Sequence, residues 1–169
     1  MAINVVSNAG PLMVFSKLNI LHLLKGLYGR VEFPLSVYRE TVSVGIQRGF
    51  TDAQVLNSFL MQNEWDPIKA FEIPADLQNL NLDRGEKESI TLALSKNALL
   101  LIDEERGRDF ARQNNLSVRG SLGVLIEAFA KKMISEDQLR FYFRQISERK
   151  DIWINPDLCV RLLEQIFGP

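Results

Sequence analysis

Residues 98–102 read Ala-Leu-Leu-Leu-Ile, five apolar residues with no polar alternation, closed abruptly by Asp103-Glu104. A strand that is apolar at every position is buried on both faces, the condition of a strand inside a parallel sheet covered by helices. This segment points to an α/β architecture, and the spacing elsewhere agrees. Residues 3–7 are a β-branched run ended by Asn8-Ala9-Gly10-Pro11, and residues 31–33 and 116–118 suit two more short strands. Between them, Leu12, Phe15, Leu18, Leu21, Leu24 and Leu27 suit one or two helices stopped by Gly29. Pro34 opens another helix, 47–52 reads as a loop, and 53–62 is helical. Residues 65–75 are irregular and carry two prolines. Asp83 is placed as the N-cap of a helix through Leu94, and a helix follows Asp103 through Gln113. Ser121 is placed as the cap of a helix that presents Leu122, Leu125, Ile126 and Phe129. Residues 135–146 and 156–166 are two further helices, with Trp153 and Ile154 between them. Strands alternating with helices predict a three-layer α/β/α sandwich around a mostly parallel sheet. One domain is expected over residues 1–169, with 133–169 as a C-terminal helical extension.

Composition narrows the chemistry. The chain has 169 residues, 46% hydrophobic and 24% charged, enough to bury a sizeable core. Its net charge is −1, so a nucleic-acid partner would have to be held by local basic patches or by a metal. The single cysteine, Cys159, excludes an internal disulfide and fits a reducing compartment. The single histidine, His22, lies among apolar neighbours, so a Cys–His nucleophile and a His/Cys zinc site both lack their residues. The N-terminus has no basic region followed by an apolar run, and no window is long enough to span a membrane; a cytoplasmic location without a membrane partner is expected.

In open α/β sheets, ligands bind beyond the carboxyl ends of the strands. That rule selects Ser7-Asn8 after the first strand and Asp103-Glu104 after the apolar one, with Glu40, Glu86 and Glu88 from helix faces or starts. Each glutamate alone would ordinarily be a solvated surface group. Asp103 differs because it abuts a strand expected at the centre of the sheet. Carboxylates crowded together repel, raise one another's pKa, and persist when something neutralises them. A hard cation such as Mg²⁺ or Mn²⁺ does so with oxygen ligands alone, and can activate water for attack on a phosphodiester.

Four passages together resemble the PIN-domain superfamily, especially a bacterial and archaeal branch described only as nucleic-acid binding. They are Val5-Val6-Ser7-Asn8-Ala9-Gly10-Pro11-Leu12, Phe33-Pro34-Leu35-Ser36-Val37-Tyr38-Arg39-Glu40-Thr41-Val42, Leu82 through Leu94 continuing to Leu99–Glu104, and Arg119-Gly120-Ser121-Leu122-Gly123-Val124-Leu125. The tail Trp153-Ile154-Asn155-Pro156-Asp157-Leu158 is similar as well, so the likeness covers nearly the whole chain. The resemblance implies metal-dependent hydrolysis of single-stranded RNA, often by the toxin of a toxin–antitoxin pair of the VapC type. It implies Glu40, Glu88 and Asp103 as acidic ligands of Mg²⁺ or Mn²⁺, Glu86 and Glu104 as supporting acids, and Ser7 and Ser121 as hydrogen-bond donors near the phosphate or the metal-bound water.

One position departs from the pattern. Where the superfamily has Asp at the end of the first strand, this chain has Asn8, whose carbonyl can still coordinate a cation but brings no charge. That residue opens a second reading, a catalytically impaired PIN-like module that binds nucleic acid or regulates. A third, a generic nucleotide-binding domain, is disfavoured because no Gly-rich phosphate loop follows any strand. Arg30, Arg39, Arg84, Arg106, Arg108, Arg112 and Arg119 could guide RNA, and Arg106, Arg108 and Arg112 follow Asp103, near the expected site. An antitoxin protein and a second copy of the chain are the protein partners that the family analogy implies.

Overall fold

The apolar run forms β2 (Leu99–Leu101), the central strand of a three-stranded parallel sheet ordered β1-β2-β3, with β1 at Val5–Ser7 and β3 at Val118–Arg119. These lie in a computed structural model that describes residues 2–69 and 72–169. The sheet register pairs Val5, Val6 and Ser7 with Leu99, Leu100 and Leu101, and Leu100 and Leu101 with Val118 and Arg119. Every residue of β1 and β2 is buried, as a strand without polar alternation requires. The expected strand at residues 31–33 is reduced to one parallel bridge, Val6 to Glu32, sealed by Glu32 N–H to Val5 O and Ser7 N–H to Glu32 O, both 2.9 Å. The α/β fold with a parallel sheet is as expected.

The chain divides into two compact units, Met1–Ser121 and Leu122–Pro169. In the first, β1 leads to α1 (Ala9–Lys17) and α2 (Leu21–Tyr28). The helix opened by Pro34 has three parts: α3 (Leu35–Tyr38), a π-helical turn (Arg39–Ser43) and α4 (Val44–Gln47). The expected loop at 47–52 shrinks to residues 48–50, because α5 (Thr51–Gln62) starts earlier. A short α6 (Ala75–Gln78) ends the irregular stretch, of which residues 70–71 lie outside the described residues. Then come α7 (Arg84–Lys96), β2, α8 (Glu105–Gln113) and β3.

Local chemistry explains α7. Asp83 accepts from the Glu86 amide and Glu86 accepts from the Asp83 amide, both at 2.8 Å, a reciprocal capping box. Its far end closes on Asn97 in the left-handed conformation, φ 48°, one of the few non-glycine residues that tolerate it. Ile90 and Ala93 of α7 and Ala111 of α8 join Val6, Leu100 and Ile102 in one buried cluster, so these helices are clamped to the sheet by its apolar face. In the second unit, α9 (Ser121–Ala130) begins at the boundary and is followed by α10 (Glu136–Glu148) and α11 (Pro156–Phe167). Ser135 and Gln138 build a second capping box at α10, and Phe129 meets Phe167 edge-on with ring centroids 5.3 Å apart. Among the described residues, no helix is long and apolar enough to cross a membrane.

Candidate functional site

All three strands run parallel, so their carboxyl ends share one edge. Asn8 leaves β1 there, Asp103 follows β2, and Gly120-Ser121 follow β3. Two backbone bonds hold the exits in step, Asn8 N–H to Leu101 O at 2.9 Å and Ile102 N–H to Arg119 O at 3.0 Å.

Asp103 is gripped at this edge. Its Oδ1 accepts from the Ser121 amide at 2.7 Å and its Oδ2 from the Ser121 hydroxyl at 2.6 Å. Ser121 thus sits at the first position of α9 as a donor to Asp103 rather than as the cap expected from its position. Two glycines make room for the carboxylate. A Cβ on Gly10 would lie 3.2 Å from Oδ2, and one on Gly120 only 3.0 Å from Oδ1. Burial pushes the Asp103 carboxyl above its ordinary value, while the Ser121 hydrogen bonds and the Arg108 guanidinium pull it back in part. The Arg108 Nε is buried without a hydrogen-bond partner among the described residues.

A second group forms where the π-helical turn meets the start of α7. The Glu40 Oε2 would lie 3.3 Å from a Cβ on Gly85, so the missing side chain lets this carboxylate rest against the first turn of α7. A helix N-terminus favours a negative charge there, and a π turn of this kind often marks a functional position. Burial raises the Glu40 pKa, and the charges of Asp83 and Glu86 raise it further. Burial also raises Glu86, which feels Asp83 and Glu104 in addition, against a lowering hydrogen bond from the Asp83 amide. No basic side chain among the described residues contributes to either shift. Glu104 itself accepts from the Gly107 amide at 2.6 Å as the N-cap of α8.

Glu88 is buried, with Oε1 2.7 Å from Arg84 Nε and Oε2 accepting a short hydrogen bond from the Ser36 hydroxyl. Asn8 is buried at the N-cap position of α1 but makes no capping bond; its Oδ1 accepts a long contact of 3.5 Å from Ser89. Ser7 is fully buried and donates to the Asn8 carbonyl at 2.9 Å. Arg106 lies exposed on the first turn of α8. Thus Glu40, Asp83, Glu86 and Glu104 form one chain of mutually repelling acids. Asp103 stands with Ser121 and Arg108, and Glu88 with Ser36 and Arg84. Among the described residues, no three His, Cys, Asp or Glu side chains are grouped so as to hold a metal ion together. Asp83 was legible only as a cap, since a capping box and a member of an acidic site leave the same signature in a sequence.

The Glu40 and Glu86 shifts predict how stability follows pH. Below the ordinary glutamate value of 4.5, both carboxyls are protonated folded or unfolded. As pH rises past it, the unfolded chain releases its protons first while the folded state retains them, so stability falls until the raised folded values are passed. Thermal melts in chelator across this window should show that decline, and Glu40→Gln should make it shallower. An identical slope in the variant would contradict the crowding.

A family model described as a PIN domain matches residues 4–167, spanning both compact units. No curated protein and no solved structure matches the chain.

Proposed function

The chain belongs to the PIN-domain family, a nuclease-type family, and from that premise we propose that it is a divalent-metal-dependent ribonuclease that hydrolyses single-stranded RNA. What supports this most is the unrelieved repulsion along Glu40, Asp83, Glu86 and Glu104 beside the carboxyl edge of a parallel sheet. Crowded acids that no basic side chain among the described residues offsets are what a cation would relieve.

The donor set suits Mg²⁺ or Mn²⁺, because every candidate atom is oxygen. Mg²⁺ commonly keeps several waters and takes one or two protein carboxylates together with substrate phosphate, so a closed cage of three acids is not required. Glu40 and Glu86 would hold it, with Asp103, Glu88 and Asn8 proposed as further oxygen donors. Once bound, such a cation neutralises phosphate charge and lowers the pKa of water.

The protein's own groups account for the rest. Glu86 is held in one direction by its capping bond to the Asp83 amide, which aims its carboxylate beside Glu40. Ser121 and the two flanking glycines hold Asp103 in one orientation. The acidic edge also offers a counter-charge to a basic side chain of an antitoxin, and a second copy of the chain is the other partner proposed. The match across both compact units supports treating them as one PIN domain.

The second reading, a binding or regulatory module that does not cut, is favoured by two observations. Asn8 is buried and uncharged, and the acids nearest to the strand ends are already hydrogen-bonded within the protein. A manganese-dependent cleavage assay on single-stranded RNA decides between them. The wild type should cut and lose activity in chelator. Asn8→Asp, which adds a carboxylate to the edge, should cut about tenfold faster, the factor that about 1.4 kcal/mol of extra transition-state stabilisation supplies. Cleavage by Asn8→Asp alone would support the module, and no cleavage by either would reject the nuclease.

A further inference from the structure

A groove of about 750 Å³ opens beside Glu88, lined among others by Ser36, Arg39, Lys69, Glu72 and Arg84. A shallower hollow sharing Glu72, Arg84 and Glu88 continues it toward Lys87. Three cations of the groove face two carboxylates, and one cation is already answered: Arg84 is bonded to Glu88 at 2.7 Å. Arg39 and Lys69 differ, since neither makes a side-chain hydrogen bond or ion pair with any described residue.

Their backbones are well fixed. Arg39 opens the π-helical turn and directly precedes Glu40. Lys69 follows Ile68, which is bridged to Pro34 through Ile68 N–H to Phe33 O and Leu35 N–H to Ile68 O, both 2.9 Å. One short cross-link thus brings the segments of both cations together at the groove, and the first of them directly precedes Glu40 of the acidic group. With a net charge of −1 the molecule has no general attraction for RNA, so a groove that carries Arg39 and Lys69 is where a strand would be held. Glu72 would repel a phosphate, so the contact falls to the side of the groove formed by Arg39 and Lys69.

We infer that this groove is a phosphate subsite for the RNA strand, with Arg39 and Lys69 contacting phosphates that flank the acidic edge. The assignment rests on the nuclease reading above. Arginine reaches phosphate with two parallel N–H donors and lysine as a point charge, so the pair provides one oriented and one adaptable contact.

The test is binding of an end-labelled oligouridine to the full chain, read by fluorescence anisotropy in chelator over a salt series. Arg39→Gln/Lys69→Gln should weaken binding about tenfold at low salt. It should also flatten the log–log salt dependence by about 1.4, since each phosphate contact to a single strand contributes roughly 0.7. The charge-conserving Arg39→Lys/Lys69→Arg should keep the wild-type slope, and unchanged melting temperatures show that both variants fold. Equal affinity and slope in the Gln variant would overturn the subsite while leaving RNA binding in place. A wild type that neither binds oligouridine in chelator nor cuts RNA with manganese would overturn the nuclease reading and the subsite together. Displacement of the strand by inorganic phosphate at matched concentration and ionic strength would assign the groove to free phosphate and reject the strand.

Discussion

Asp103→Asn should lower manganese-dependent cleavage of single-stranded RNA by roughly 100- to 1000-fold while leaving the fold intact, several kcal/mol of charge stabilisation at about 1.4 kcal/mol per factor of ten. The substitution is nearly isosteric. The new amide oxygen can still accept from the Ser121 N–H, and the amide nitrogen can donate to a Ser121 hydroxyl turned to accept. Only the charge disappears. Arg108 then loses a nearby negative charge, but the burial that pushes the Asp103 carboxyl up is relieved at the same time, so stability should change little. Alanine at the same position strands both Ser121 donors, and should cost about 2–4 kcal/mol. Thermal melts separate the two effects. An Asn variant that melts close to the wild type yet does not cut assigns the loss to charge at the edge. Undiminished cleavage in the Asn variant would leave Asp103 as a clamp for the start of α9 and no more.

Leu100→Ala should destabilise the protein by about 2–5 kcal/mol, the range for truncating a fully enclosed leucine. Leu100 is completely buried in the middle of the central strand, and it belongs to the cluster that includes Val6, Ile90, Ala93 and Ile102. The large-to-small change removes methyl groups whose partners belong to β1 and α7, elements that cannot both collapse into the gap. A chain of this length loses roughly 2–4 °C of melting temperature per kcal/mol, so a drop of about 10 °C is expected by calorimetry. The same strand carries Asp103 two residues beyond its end, so cleavage should also fail at a lower temperature than in the wild type. A loss under about 1 kcal/mol would mean that this layer repacks freely.

How far these features could be read in advance differs by residue. The capping box at Asp83 and Glu86 is a local pattern, fully present in four consecutive residues. The apolar run at 98–102 implied a two-sided burial that Leu99–Leu101 show. By contrast, residues 31–33 looked like a strand by composition and formed a single bridge. Pairing partners across a sheet depend on the whole register, and the local run does not contain it. Glu88 is the clearest case at the site. Its place near a helix start and the family resemblance made it an acid of the edge, but whether its carboxylate faces a cation or Ser36 and Arg84 depends on residues 52 and 4 positions away. Lys69 left no signal, because its place in the groove follows from one bridge to Pro34 across an irregular stretch.

The amino-acid sequence by itself determined the fold class, the direction of the strands and the choice of oxygen-bearing side chains. These depend on hydrophobic periodicity and capping, which act over a few residues. Tertiary structure alone decided which of those side chains share a neighbourhood. Asp103 is committed to Ser121, Glu88 to Arg84 and Ser36, and Glu40 to the repelling company of Asp83 and Glu86. Burial, Coulomb repulsion and hydrogen bonding depend on distances set by packing, and residues far apart in the chain acquire those distances only when the helices close over the sheet.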